Sequence, residues 1–401
     1  MQYDFTSVLD RRGRDAIAVD GVGHMPGFAP EAPKNGFDTI PMWVADMNFP
    51  VVPTIQQAMI DRIQHPAFGY FSNSDAYYDA IISWHKTRNH VTIPKECIGY
   101  ENGVLGGVVS ALHAFAAPGD RVLLHSPTYI GFTNSLNNNG FRIVHSPLKQ
   151  DASGVWRMDF EDMDAKIKKY HIHVAIFCSP HNPCGRVWEQ WEIERAMEVY
   201  HANDCIVISD EIWSDILLNG HKHIPTQSVS EDAKNRTVAL YAPSKTFNLA
   251  GLIGSYHVIY NTYLRDRVQS QGSKSHYNSM NVLSMHALIG AYQPEGHIWV
   301  DELCAVLSEN INFACDMIQR NFPDIHVSKP QGTYMLFLNC KDWCQKHDRT
   351  MDELLKAGWD VGVGWQDGRM FEVPYAIRMN LALPLSRVKE AFDRLQRYVF
   401  C

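Results

Sequence analysis

The sequence predicts an α/β layer fold built on a mostly parallel sheet, and three features of the chain predict it. Short apolar runs that do not alternate recur at 122–124, 174–178, 206–208, 238–241 and 256–260. Runs of that kind mark strands buried on both faces. Amphipathic stretches such as 189–201 separate several of them, and strands interleaved with helices give layers of helix on a parallel sheet. After about residue 285 the pattern changes to long helices (298–320, 386–398) and isolated strands (334–339, 376–381), the mark of a second, smaller α+β domain.

Residues 1–40 crowd Gly21, Gly23, Pro26, Gly27, Pro30 and Pro33 together and read as an arm lying on something else. The division is therefore an arm with part of the small domain at 1–45, a large domain at 46–285 and a C-terminal small domain at 286–401. A helix follows Pro53, with Ile55, Met59 and Ile63 on one face, and another begins near Ser74 and carries Tyr77, Ile81 and Trp84. A third, at 105–117, stops at Pro118-Gly119-Asp120.

Composition narrows the function. The 401 residues are 45% apolar and 20% charged, ordinary for a globular protein, with a formal charge of −8. That charge argues against nucleic acid as a partner, since such proteins show a basic face. No apolar run reaches membrane-spanning length, and the first residues lack the basic and then apolar stretch of a signal peptide. A cytoplasmic protein is expected. Its nine cysteines then read as free thiols. The pairs His171/His173 and His221/His223 lack a third ligand at a telling spacing and read as surface histidines, with no metal. Ser146-Pro147-Leu148-Lys149 fits an S-x-x-K pattern, but no K-T-G or S-D-N accompanies it.

Ligands of open α/β sheets collect at the carboxyl ends of the strands. Three predicted strands end in Ser179-Pro180-His181-Asn182-Pro183-Cys184-Gly185, in Ser209-Asp210-Glu211-Ile212-Trp213 and in Pro243-Ser244-Lys245-Thr246. Each alone is weak: a turn, a helix cap, a common dipeptide. Together they supply what pyridoxal 5′-phosphate (PLP) needs: a lysine for its aldehyde, a carboxylate for its pyridine nitrogen and an amide beside its 3-oxygen. Gly103-Val104-Leu105 precedes a helix whose first N–H groups suit a phosphate, and Tyr129 supplies an aromatic face.

At this point the chain resembles the class I/II aminotransferase family of fold-type I PLP enzymes over nearly its whole length. Within it, the chain is most similar to the cystathionine β-lyase and C–S lyase branch. Pro41-Met42-Trp43-Val44-Ala45-Asp46-Met47, Phe68-Gly69-Tyr70, Ser244-Lys245-Thr246-Phe247-Asn248-Leu249-Ala250-Gly251 and Arg378-Met379-Asn380 carry the closer match. The resemblance implies a fold-type I transferase architecture and a role for each residue. Lys245 would hold the cofactor and move the Cα proton, with Asp210 on the ring nitrogen and Asn182 on the 3-oxygen. Tyr129 would stack on the ring and Ile212 pack beneath it. Gly103, Val104, Leu105 and Ser244 would hold the phosphate, helped by Tyr70 from a neighbouring subunit of a homodimer. Arg378 would clamp the substrate carboxylate; Trp43 reads either as a plain core residue or, as the resemblance implies, as part of the substrate pocket wall. Two positions depart from the aminotransferase pattern: Trp213 where many have a tyrosine, and Ile253 where many have an arginine. Both favour C–S β-elimination from an amino-acid substrate over transamination. Some proteins of that branch also bind a regulatory protein.

Overall fold

The computed structural model describes residues 1–274 and 276–401. Seven strands form the main sheet: β1 (Ile98–Glu101), β2 (Arg121–Ser126), β3 (Arg142–Pro147), β4 (Val174–Cys178), β5 (Ile206–Asp210), β6 (Thr237–Tyr241) and β7 (Ser255–Val258). Their order is β1-β7-β6-β5-β4-β2-β3. The pairs from β6 to β3 are parallel, whereas β7 runs antiparallel to both β1 and β6. The expectation of a mostly parallel sheet holds. Strands β1 and β3 escaped the sequence reading because their runs, Ile-Gly-Tyr-Glu and Arg-Ile-Val-His-Ser-Pro, mix polar and apolar residues.

The non-alternating runs are explained by two cores, one on each face. Val122, Leu124, Ile176, Ile208 and Leu240 pack with Val108 and Leu112 on one side. Leu123, Phe177 and Val207 pack with Ile193, Met197 and Trp188 on the other. Each such side chain contributes about 1.5–3 kcal/mol when fully buried, so a strand with apolar residues on both faces is held in register from both.

Among the helices are α1 (Pro53–Gln64), α2 (Asp75–Arg88), α3 (Val104–Phe115), α4 (Val282–Ala291), α5 (Pro294–Asn321) and α6 (Leu385–Tyr398). Ser74 starts α2 by accepting from the Tyr77 N–H, the usual service of an N-cap serine. On α1 the apolar stripe is only half covered. Ile55 is buried, but Ile63 is about half exposed. A second sheet, in the order β8 (His326–Val327), β9 (Met335–Asn339), β11 (Ala376–Asn380), β10 (Gln366–Asp367), is antiparallel throughout. Helices α5 and α6 lie against each other beside it. Residues 1–40 pack on this same chain: Phe5 meets Phe49 and Trp299, and Ile40–Pro41 pairs in parallel with Val363–Gly364.

The histidine reading needs one correction. His223 is not a surface residue. It is buried, and its Nε2 sits 2.7 Å from the Glu211 carboxylate, which also accepts from Tyr241 at 2.7 Å. A buried carboxylate needs partners, and a sequence window of a few residues cannot show one that arrives from twelve residues away. Among the described residues no cluster of three or more metal-ligating side chains occurs. Ser146 lies in β3, where its hydroxyl donates to Asp162.

Candidate active site

A cavity of about 240 Å³ opens at the carboxyl ends of β4, β5 and β6. Its walls include Gly103, Val104, Leu105, Tyr129, Asn182, Asp210, Ile212, Ser244 and Lys245, so nine of the twelve candidate residues meet in one place. Each arrives by the end of an element. Asp210 is the last residue of β5. Asn182 lies on the loop after β4, Tyr129 caps the helix Ile130–Asn138 after β2, and Ser244 and Lys245 sit on the short turn Pro243–Thr246 after β6. Gly103 is the N-cap of α3 at φ 80° and ψ 149°, a conformation open in practice to glycine alone. It lets the chain turn sharply from β1 into α3 and aim the free N–H groups of the first turn into the cavity.

Electrostatics at the site are dominated by burial. Asp210 is 4% exposed, and burial pushes its carboxyl up to about 7, against the opposing pull of the Ile212 N–H (3.0 Å) and of nearby Lys245. Lys245 is brought down to about 8, first by burial and then by the charge of Arg378. Its Nζ donates to the carbonyl of Ala45 at 2.8 Å and stands 5.7 Å from the Trp213 ring centre. Burial raises the Tyr129 hydroxyl above its ordinary value.

Arg378 stands one layer behind the cavity wall. Its Nη1 donates to Asn182 Oδ1 (3.2 Å), and its Nη2 donates to Gln366 Oε1 (2.5 Å) and to the Trp43 carbonyl (3.3 Å). The guanidinium lies 4.6 Å from the centre of the Phe371 ring, and its buried Nε has no partner among the described residues. Burial brings it down to about 10. Because Arg378 occupies the Asn182 oxygen, the amide presents its NH2 group as donor. Gly185, three residues on, holds φ 64° where a Cβ would fall 2.4 Å from Pro330 and 2.8 Å from the Gly332 oxygen. That close approach locks the Asn182 loop against the chain leading into β9.

Two candidates fall elsewhere. Trp43 is 4% exposed; its indole donates to the Ala18 carbonyl at 3.0 Å and packs edge-on to Trp359. The indole is thus a core group rather than a pocket wall, because the arm supplies it a backbone acceptor away from the cavity. Trp43 meets the site only through its carbonyl. Tyr70 is fully exposed, in a stretch with Phe68 (56%) and Phe71 (39%), and takes no part in this chain's own cavity.

The residues present fit PLP. Among the described residues a buried carboxylate has only one oxygen engaged, an amide offers its donor end, burial makes a lysine easier to deprotonate, and a helix N-terminus offers N–H groups, all around one space. Sequence reasoning missed Ala45, Cys178, Ala250 and Gly254, which also line the cavity. They are small or apolar and carry no signal of their own; Ala45 acts through its carbonyl.

A lysine, a carboxylate and a helix N-terminus gathered at one edge of a doubly covered parallel sheet define a cofactor-dependent α/β enzyme. The chain belongs to the aminotransferase class I and II family, whose model matches residues 39–395. It is 32% identical over 355 residues to cystathionine beta-lyase PatB of Bacillus subtilis (strain 168), covering 88% of this chain and 89% of that protein. The PLP-bound C-S lyase of Staphylococcus hominis superposes with a TM-score of 0.88 at 27% identity, over 100% of this chain and 98% of that one. Cystalysin of Treponema denticola, solved with its pyridoxal 5′-phosphate, gives 0.90 at 27% identity, over 99% and 98%.

Proposed function

We propose that the protein is a PLP-dependent carbon–sulfur β-lyase, acting on cystathionine or related cysteine S-conjugates to give pyruvate, ammonia and a thiol. The observation that carries the reading is the Lys245–Asp210–Asn182 constellation around one cavity in a chain that resembles C–S lyases over its full length. PLP, when bound, supplies the electron sink that makes a substrate Cα–H bond acidic.

The chain's own residues do the rest. Asp210 would pair with the ring nitrogen, whose positive charge would favour the ionised carboxylate that burial alone disfavours. Asn182, its amide oriented by Arg378, would donate toward the 3-oxygen. Tyr129 and Ile212, both on the cavity wall, would cover the two faces of the ring, and Gly103, Val104, Leu105 and Ser244 would hold the phosphate. Arg378 takes the substrate carboxylate in a two-pronged grip, so that the Cα–H bond points at Lys245. With an amine near neutrality, Lys245 accepts the Cα proton and delivers a proton to the departing sulfur. Elimination wins over transamination when the sulfur leaves before a proton returns. Trp213, a donor only, stands where a tyrosine serves many aminotransferases, which favours that order.

We further infer a cytoplasmic homodimer with shared sites. The supports are the fully exposed Tyr70 with its apolar neighbours, the half-covered stripe of α1 and the nine free thiols. The two separate sheets support a large and a small domain of the kind expected at 1–45, 46–285 and 286–401, although the last boundary falls inside α4. The deciding assay offers L-cystathionine, L-cysteine, and an amino donor with 2-oxoglutarate. Pyruvate and thiol in equal amounts are expected; fast glutamate formation without pyruvate would make the enzyme an aminotransferase.

A further inference from the structure

A tyrosine outside the cavity wall is bonded to the same atom as Lys245. The Ala45 carbonyl oxygen accepts from Lys245 Nζ at 2.8 Å and from the Tyr334 hydroxyl at 3.0 Å. Tyr334 is 1% exposed, and its ring meets the Trp213 ring edge-on at 4.7 Å; Trp213 in turn lies beneath Lys245 Nζ. Lysine, indole and phenol thus form a closed group around one carbonyl.

The backbone around Tyr334 is built to hold it there. Thr333, the preceding residue, sits at φ 64°. For a β-branched side chain this is an outlier, and such strain persists only where the surroundings enforce it. Here the Thr333 N–H donates to the Ile216 carbonyl at 2.9 Å, the Met335 N–H donates to Thr333 Oγ1 at 3.0 Å, and the Gln331 and Gly332 N–H groups donate to the Gly185 carbonyl at 2.8 and 2.9 Å. The Ala45 segment is fixed as well: Asn380 Nδ2 donates to the Val44 carbonyl at 2.6 Å, and the Met47 N–H donates to Asn248 Oδ1 at 2.9 Å.

We propose that Tyr334 is a positioning residue for Lys245. By sharing the Ala45 carbonyl it sets the resting place of the amine when the amine is not bonded to cofactor, and it weakens that carbonyl as an acceptor so that the amine gives up its proton readily. The inference rests on the proposed role of Lys245 as the cofactor lysine. A carbonyl that already accepts one hydrogen bond stabilises a neighbouring ammonium less than a free one does. The other charges facing Lys245 are Arg378 on β11, Asp46 beside Ala45 and Asp210 at the end of β5. A change at Tyr334 leaves all three in place.

Tyr334→Phe tests the proposal. The ring keeps its contact with Trp213, and the carbonyl keeps Lys245 as a partner, so no buried group is orphaned and the variant folds; its melting temperature checks this. The measurement is the rate at which the cofactor-stripped full chain captures PLP, followed by the absorbance of the lysine-bound cofactor from pH 6 to 10. The wild-type rate rises with pH as Lys245 loses its proton. In Tyr334→Phe the midpoint moves up by about half a unit to one unit, because the freed carbonyl now favours the charged amine. Capture at pH 7.5 slows about 3- to 10-fold while the high-pH plateau is unchanged. Coincident profiles would overturn the proposal, as would a lower midpoint or a fall at every pH alike. Lys245→Ala serves as the control: if it still captures PLP covalently, the assignment of Lys245 fails, separately from that of Tyr334.

Discussion

Lys245 and Asp210 are charged side chains held where charge is costly. Replacing Lys245 by Ala removes the proposed anchor and proton carrier together, and among the described residues no other lysine lines the cavity. Turnover should fall by at least about 10²–10⁴-fold, the range for losing a positioned proton-transfer group, with the melting temperature near wild type. Turnover within tenfold of wild type would remove the role. Asp210 makes a prediction about pH. Its folded value, about 7, lies above the ordinary carboxyl value of about 4, so the native state holds the proton more tightly than the unfolded chain. Its contribution to stability is therefore complete at low pH and lost as pH rises from about 4 through 7. In the cofactor-stripped chain, Asp210→Asn keeps an oxygen for the Ile212 N–H and removes the buried charge. The variant should melt higher than wild type at pH 8 and match it near pH 4; parallel curves would contradict the burial argument. Legibility at this scale was uneven. Lysine, aspartate and asparagine at strand ends are chemically distinctive, so their convergence could be read. The Trp43 indole could not be placed, because its partner, the Ala18 carbonyl, is a backbone atom invisible to any residue pattern.

At the level of elements, the junction between β1 and α3 is where the proposed phosphate site lies. Gly103→Ala places a Cβ on a backbone at φ 80°, at a cost of about 1–3 kcal/mol. The nearest atom to that Cβ, Ile253 Cγ2, is 3.6 Å away, so the penalty is conformational rather than a clash. Rotating the first turn of α3 would relieve it and would withdraw the N–H groups from the proposed phosphate site. PLP retention in equilibrium dialysis should weaken about tenfold with the fold intact; unchanged retention would mean that the phosphate is held elsewhere. The elements themselves were largely foreseen where their sequences were pure. β4, β5 and β6 are buried almost throughout and read clearly. β1 and β3 carry Tyr-Glu and His-Ser, which packing tolerates because Glu101 bonds to buried His257 and Ser146 to Asp162. Such pairings come from distant elements and leave no periodic trace.

For the whole molecule, the exposed stretch with Phe68, Tyr70 and Phe71 and the open stripe of α1 call for a cover, and the proposed second copy supplies it. Sedimentation should give a dimer at micromolar concentration. Tyr70→Phe should keep that dimer and loosen PLP severalfold, since it removes only the hydroxyl assigned to the neighbour's phosphate. A fully active monomer would refute the shared site. Whether a residue serves its own chain or a neighbour's is a property of the assembly, so only a resemblance could raise it from sequence.

The strip from Trp43 to Asn48 takes bonds from three directions. Arg11 of the arm reaches Asp46 and Asn48; Lys245 and Asn248 of the large sheet's unit bond Ala45 and Met47; Tyr334, Arg378 and Asn380 of the small sheet's unit bond Trp43, Val44 and Ala45. Backbone in such a harness cannot follow one party without straining against the other two. The strip therefore acts as a summing junction: a tilt of the small sheet, a slip of the arm and a shift of the turn after β6 all arrive at the same carbonyl. The resting place of the Lys245 amine is thereby tied to both sheets and to the arm at once.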